Sequence, residues 1–262
     1  ALKSQDLPGT LPPELARLTH LQDISLLGNR LTGPIPIEFG NISTLANLTV
    51  EFNQLSGPIP AELGSLPLLE KLHLTSNNFT GELPDTLAKL TTLKDLVIQA
   101  SGLDGPIPLG IGLLTKLSDL RISDLNGSQA SFPPLNNLRS LKTLILRSCN
   151  IIGPLPQYLG TMTNLEKLLD LSFNRLSGEI PSSFISLSSI QKIREEKKGT
   201  LPFCMYNKKR VTFEAKSDLF YIVFDEEDTC FMADNFKGTM DSVFDQEEVR
   251  FQLSTILHCL IS

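Results

Sequence analysis

The stretch LTGPIP at residues 31–36 returns in close variants along the chain: LSGPIP at 55–60, FTGELP at 79–84, LDGPIP at 103–108, IIGPLP at 151–156 and LSGEIP at 176–181. Its glycines, Gly33, Gly57, Gly81, Gly105, Gly153 and Gly178, lie 24, 24, 24, 48 and 25 residues apart. One occurrence is therefore missing midway, and one residue is inserted late. Gly9, in GTLP, extends the series back by another 24. A fixed period of roughly 20–29 residues marks a solenoid, in which each turn buries its apolar face only against its neighbours.

The apolar residues share this period. Leu18, Leu21, Ile24, Leu26, Asn29 and Leu31 define a frame that recurs at Leu66, Leu69, Leu72, Leu74, Asn77 and Phe79. It recurs again at Leu90, Leu93, Leu96, Ile98, Ser101 and Leu103. This is the leucine-rich repeat. Its L-x-L centre alternates with period 2, which predicts a short strand with leucines inward and the intervening residues outward. Stacked strands make a parallel, curved, concave sheet, so the fold class expected is an α/β repeat, a right-handed solenoid with turns of about 24 residues. Asn29, Asn53, Asn77 and Asn174 occupy one slot, where a buried amide pairs with backbone groups. Cys149 takes that slot in the sixth repeat and reads as a structural, unreactive thiol. LTGPIP itself reads as a corner: Leu31 and Ile35 buried, Gly33 for a tight path, Pro36 closing the segment before the convex side.

The fifth repeat departs from the frame. Leu125 stands in the Asn slot, position 129 carries no glycine, and 124–136 is expected to be irregular, although Leu138, Leu141 and Leu144 return in phase. The frame runs on through Leu187, Ile190 and Ile193 and then stops. Two regions follow: a solenoid of about seven to eight repeats over 1–193, and a non-repeat extension over 194–262, either poorly ordered or a small cap. The extension holds eight of the 14 phenylalanines, a strand candidate LFYIVF at 219–224, the acidic DEED at 225–228 beside Cys230, and a possible short helix at 247–260.

The wording L-x-G-x-I-P after the Asn slot is the plant variety of the repeat, and residues 1–193 resemble the extracellular part of plant leucine-rich-repeat receptor-like serine/threonine kinases. LVIQASGLDGPIP, LRISDLNGS and LILRSCNIIGPLPQYLG resemble the subfamily that also carries a malectin-like domain. The resemblance implies a plasma-membrane or secreted glycoprotein on the extracellular side that senses a peptide, a protein or a co-receptor. The sequence has no paired-cysteine N-terminal cap, malectin-like domain, membrane helix or kinase elements. The expectation is an ectodomain fragment, or the product of a truncated or mis-predicted gene. A soluble secreted repeat inhibitor and the front part of an active kinase are the alternatives.

Composition and motifs point the same way. A net charge of -6 argues against a general nucleic-acid or anionic-membrane binder. The three histidines, His20, His73 and His258, accompany no G-x-S-x-G, H-E-x-x-H or P-loop pattern, so no catalytic residue, cofactor or metal is expected. Recognition is expected on the concave face. Its outward residues form one column of Ser25, Thr49, His73, Val97, Arg121, Ile145 and Asp170 and a second of Glu51, Thr75, Gln99, Ser123 and Arg147. Asp95, Asp119, Asp124 and Lys71 add to its mixed charge, which suits a peptide or protein better than a polyanion. The ligand-binding candidates are Glu51, His73, Thr75, Gln99, Asp119, Arg121, Ser123 and Arg147. Sequons stand at Asn41, Asn47, Asn78 and Asn126, with Asn41 and Asn78 expected in loops and Asn47 on the concave side.

Overall fold

The computed structural model describes residues 1–165, 168–179, 181–187, 193–194, 210–216 and 219–225. The seven L-x-L segments form strands that stack in chain order, with Ile193–Arg194 as an eighth, into one parallel sheet: Asp23–Ser25, Asn47–Thr49, Lys71–His73, Asp95–Ile98, Asp119–Ser123, Thr143–Arg147, Leu168–Asp170 and Ile193–Arg194. The leucines between the outward columns are removed from water. Leu48, Leu72, Leu96, Leu120 and Leu144 are fully buried and join the leucines of the other faces in a single continuous core. Each fully buried leucine contributes about 1.5–3 kcal/mol relative to an exposed one, so stacking stabilises strands too short to persist alone.

The repeated phrase does more than turn a corner. Its leading residues pair in parallel as a second ladder, Pro8–Thr10 with Arg30–Gly33, Gln54–Gly57 and Asn78–Phe79 in succession. Single bridges continue it from Glu82 through Asp104 to Asn126, and a new run begins with Ala130–Ser131, Ile151–Pro154 and Arg175–Ser177. Gly33, at φ +74°, provides the left-handed bend that brings the chain from this ladder to Pro36. The proline that ends the phrase, as in Pro36, Pro60, Pro84, Pro108 and Pro156, then precedes a five-residue 3-10 helix on the convex side. A fixed φ suits that entry, and the missing N–H has no partner to lose.

The Asn slot ties neighbouring turns together. Asn53 accepts from Leu31 N and donates to Leu26 O, Val50 O and Glu51 O; Asn77 accepts from Leu55 N and donates to Val50 O, Leu74 O and Thr75 O. Asn174 serves Cys149 N and Ile151 N in the same way. Where Ser101 replaces Asn, the chain changes path instead. Gly102 adopts φ +85°, and the Ser101 carbonyl accepts the Phe79 N–H at 2.8 Å that a slot amide would otherwise serve. The Ser101 hydroxyl, fully buried, has no partner among the described residues. Cys149 donates from Sγ to Ile122 O and Arg147 O, and burial pushes its thiol far above the ordinary range. This is an inert structural thiol, as its slot implies.

The fifth repeat is irregular in a specific way: it has no convex helix. Pro133 and Pro134 fall where that helix would begin, and Pro134 disfavours the helical conformation at Pro133 before it. The Leu135 N–H, which a helix would direct to a backbone carbonyl, donates instead to the Tyr158 hydroxyl at 3.1 Å, and that hydroxyl donates to Pro133 O. Tyr158 from the next repeat thus braces the gap, with its ring edge-on to Phe132.

In the extension, Leu219–Asp225 forms a strand paired antiparallel with Arg210–Lys216. Residues 226–228 with Cys230, and the helix expected at 247–260, lie outside the described residues.

Candidate recognition face

The register of the large sheet places the first column side by side across eight strands. Ser25 pairs with Thr49, then His73, Val97, Arg121, Ile145, Asp170 and Arg194 in succession. Two positions earlier run Asp23, Asn47, Lys71, Asp95, Asp119 and Thr143. Two positions later, Ser123 pairs with Arg147, and backbone bonds carry that row back through Gln99, Thr75 and Glu51. Seven of the eight candidates therefore lie on one surface; the eighth, Ser123, is in register with them but buried at 2% exposure, a correction to the expectation that it faces a ligand. Successive strands sit roughly 4.8 Å apart.

That surface is organised by pairing between its own charges. Arg121 donates from Nε and Nη2 to both oxygens of Asp119, at 2.7 and 2.6 Å. This bidentate hydrogen bond raises the Arg121 pKa above its usual value; burial opposes it, and the charges of Asp119, Asp95 and Glu51 reinforce it. Lys71 pairs with Asp95 at 3.2 Å, and Ser118 Oγ donates to the same carboxylate. His73 Nδ1 lies 3.6 Å from Glu51, and its buried Nε2 has no partner among the described residues. His73 is thus only half exposed to the open face. Ser123 Oγ donates to Asp124 at 2.6 Å. Buried Asp170 accepts from Ser172 N and Oγ. Val97 and Ile145, nearly buried, flank Arg121 in register and leave an apolar floor on both sides of it.

Arg147 differs. It is exposed, and its guanidinium lies over the Phe173 ring with Cζ 4.4 Å from the centroid. The sequence reading singled out Arg147 but missed Phe173, which looks like one more core residue in DLSFN. The signal was present in the column before the Asn slot, where Gly28, Ser76, Ala100, Asp124 and Ser148 are small or polar.

The sequons separate by face. Asn41 is exposed at the end of the convex helix Ile37–Asn41. Asn78 and Asn126 are exposed on the second ladder, so Asn78 sits in a strand rather than the expected loop. Asn47 lies in a concave strand, half-buried, with its amide donated to Asp23. Among the described residues no cluster of three His, Cys, Asp or Glu could hold a metal ion, and no helix is long and apolar enough to cross a membrane.

The Leucine Rich Repeat family matches residues 20–42, 68–90, 140–162 and 167–187. No curated protein sequence matches the chain. Among solved structures, the chain is similar to the ectodomain of the Arabidopsis thaliana membrane receptor kinase GASSHO1/SCHENGEN3 in complex with CASPARIAN STRIP INTEGRITY FACTOR 2, at 34% identity and a TM-score of 0.69 over 73% of this chain and 23% of that one. It is similar to the Arabidopsis receptor kinase HAESA in complex with the peptide hormone IDA and the co-receptor SERK1, at 34% identity and a TM-score of 0.70 over 73% of this chain and 33% of that one. A TDR receptor shows 39% identity and a TM-score of 0.68 over 72% of this chain and 32% of that one. The chain thus spans about a quarter to a third of the ectodomains it resembles. On its repeats, its two parallel ladders and these neighbours, the chain is a leucine-rich-repeat solenoid of the architecture built by plant receptor kinase ectodomains.

Proposed function

We propose that this chain is a non-catalytic recognition module, the ectodomain portion of a plant receptor-like kinase, and that its concave sheet takes a peptide or protein ligand or a co-receptor segment. The observation that carries this reading is the set of outward columns, in register over eight parallel strands and open on one face. A floor of Val97 and Ile145 with Arg121, Asp119 and Gln99 around it offers apolar contact and both signs of charge within one peptide's reach. Solenoids use such extended concave surfaces for extended partners. Two similar structures of the same architecture are complexes, one with CASPARIAN STRIP INTEGRITY FACTOR 2 and one with the peptide hormone IDA and the co-receptor SERK1, which supports this class of ligand.

The finer expectations belong to the same reading. The repeat wording, which resembles the subfamily with a malectin-like domain, supports that assignment; residues 1–193 would be the recognition unit and 194–262 an appended segment. The module works on the extracellular side, where exposed Asn41, Asn78 and Asn126 are the glycan acceptors. Kinase activity would reside in another part of the full protein.

A displayed random peptide library selected on the whole chain tests this. Binders are expected to lose at least tenfold in affinity to a His73→Ala, Gln99→Ala, Arg121→Ala variant and to keep it on an Ile37→Ser, Leu109→Ser variant of the convex side. Binders indifferent to the concave substitutions would remove the proposal.

A further inference from the structure

In eight successive turns the residue before the Asn slot holds a left-handed backbone, from Ser4 at φ +50° to Phe173 at +61°. The turn requires it, because here the chain leaves the concave strand for the second ladder. Ser, Gly, Ala and Asp fill six of the eight positions, and they carry this conformation at modest cost. Phe52, at φ +54°, and Phe173 are the exceptions. A bulky side chain in this region is an outlier that costs free energy. Burial does not offset it, since the two rings remain 56% and 36% exposed.

Phe173 has a second property. The Arg147 guanidinium carbon lies 4.4 Å from the centroid of its ring, a cation–π contact that restrains the guanidinium beside it. Arg121 spends its fork on Asp119, whereas Arg147 enters none of the salt bridges among the described residues. A strained, exposed aromatic that orients an uncommitted cation, on the rim beside Ser123, is a poor investment for folding alone. Arg and aromatic residues together are the usual composition of an interface hot spot.

We propose that Phe173 and Arg147 form a docking point for a partner polypeptide that places a carboxylate against the Arg147 guanidinium edge and an aliphatic side chain against the exposed edge of the Phe173 ring. The proposal rests on the recognition reading above and adds the chemistry of one contact to it. Phe52, equally strained but far along the rim and without a stacked cation, is the internal control.

The test uses the whole chain and two pools of decapeptides blocked at both ends, with Glu-Leu or Gln-Leu fixed at the centre and randomised flanks. The Glu-Leu pool is retained at least tenfold more than the Gln-Leu pool, and Phe173→Asn or Arg147→Ala abolishes the preference while Phe52→Asn leaves it. Because Asn accepts the left-handed backbone, Phe173→Asn also unfolds at a higher urea concentration than the wild type, which separates lost binding from lost fold. Equal retention of the two pools, no retention by the wild type, or a Phe173→Asn variant less stable than wild type overturns the proposal. A preference that Phe173→Asn leaves intact but His73→Ala, Gln99→Ala, Arg121→Ala removes overturns this docking point and leaves the concave reading standing.

Discussion

Replacing Asn77 by alanine isolates the interaction that holds one turn to the next. The side chain makes four hydrogen bonds, but the loss is uneven. Val50 O keeps the Asn53 amide, and Thr75 O keeps the Phe52 N–H at 2.9 Å. The groups left without their partner are Leu55 N, now bonded to Oδ1 at 3.1 Å, and Leu74 O, bonded to Nδ2 at 3.0 Å. Each orphaned buried group costs about 1–3 kcal/mol, so Asn77→Ala should destabilise by about 2–6 kcal/mol. Ser101→Ala, in the same slot one turn later, removes a buried hydroxyl with no partner among the described residues and should leave stability unchanged or raise it by up to about 1–3 kcal/mol. Urea unfolding of the whole chain, followed by far-ultraviolet circular dichroism, compares the two directly. Equal costs for both variants, or less than about 1 kcal/mol for Asn77→Ala, would refute the hydrogen-bond account of the slot.

Three further predictions follow from particular residues. Gly102→Ala should cost at least about 2–3 kcal/mol, because at φ +85° a Cβ would sit 2.7 Å from Phe79 O, while Gly81→Ala, with open space around it, should cost only about 1 kcal/mol in the same unfolding assay. Cys149 should resist alkylation in the native chain and react at once in denaturant, as read by peptide mass spectrometry; since burial raises its folded pKa, the stability it contributes is complete below the unfolded value of about 8.5 and declines as the pH rises above it, a slope that Cys149→Ala should remove. In chain expressed in plant cells, glycopeptide mapping should find Asn41, Asn78 and Asn126 modified and Asn47 bare, because the Asn47 amide is half-buried and held by Asp23.

Much of this was legible in the residues because a solenoid repeats its own evidence. The strand positions, the buried leucines and the column Ser25, Thr49, His73, Val97, Arg121, Ile145, Asp170 follow from one frame applied seven times, and the register bears them out. The second ladder was not legible. L-x-G-x-I-P is too short and too rich in Gly and Pro to read as a strand, and it pairs only because stacking brings the next copy alongside. The side-chain pairing was hidden for a different reason. Arg121 and Asp119 lie two residues apart on one strand face, where their neighbourhood is plain, but whether the fork closes on Asp119 or stays open depends on rotamers. Tyr158 bracing the fifth repeat depends on a gap that two prolines create 23 residues away or more, and no local pattern announces it.

The most direct test of the account is an amide hydrogen-exchange footprint of the chain with a peptide selected on it. Recognition by the outward columns predicts slowed exchange concentrated in residues 95–99, 119–123 and 143–147, with the second ladder at 30–33 and 54–57 and the convex helices unchanged. Protection confined to the convex helices or to the second ladder, with the concave strands unaltered, would contradict it.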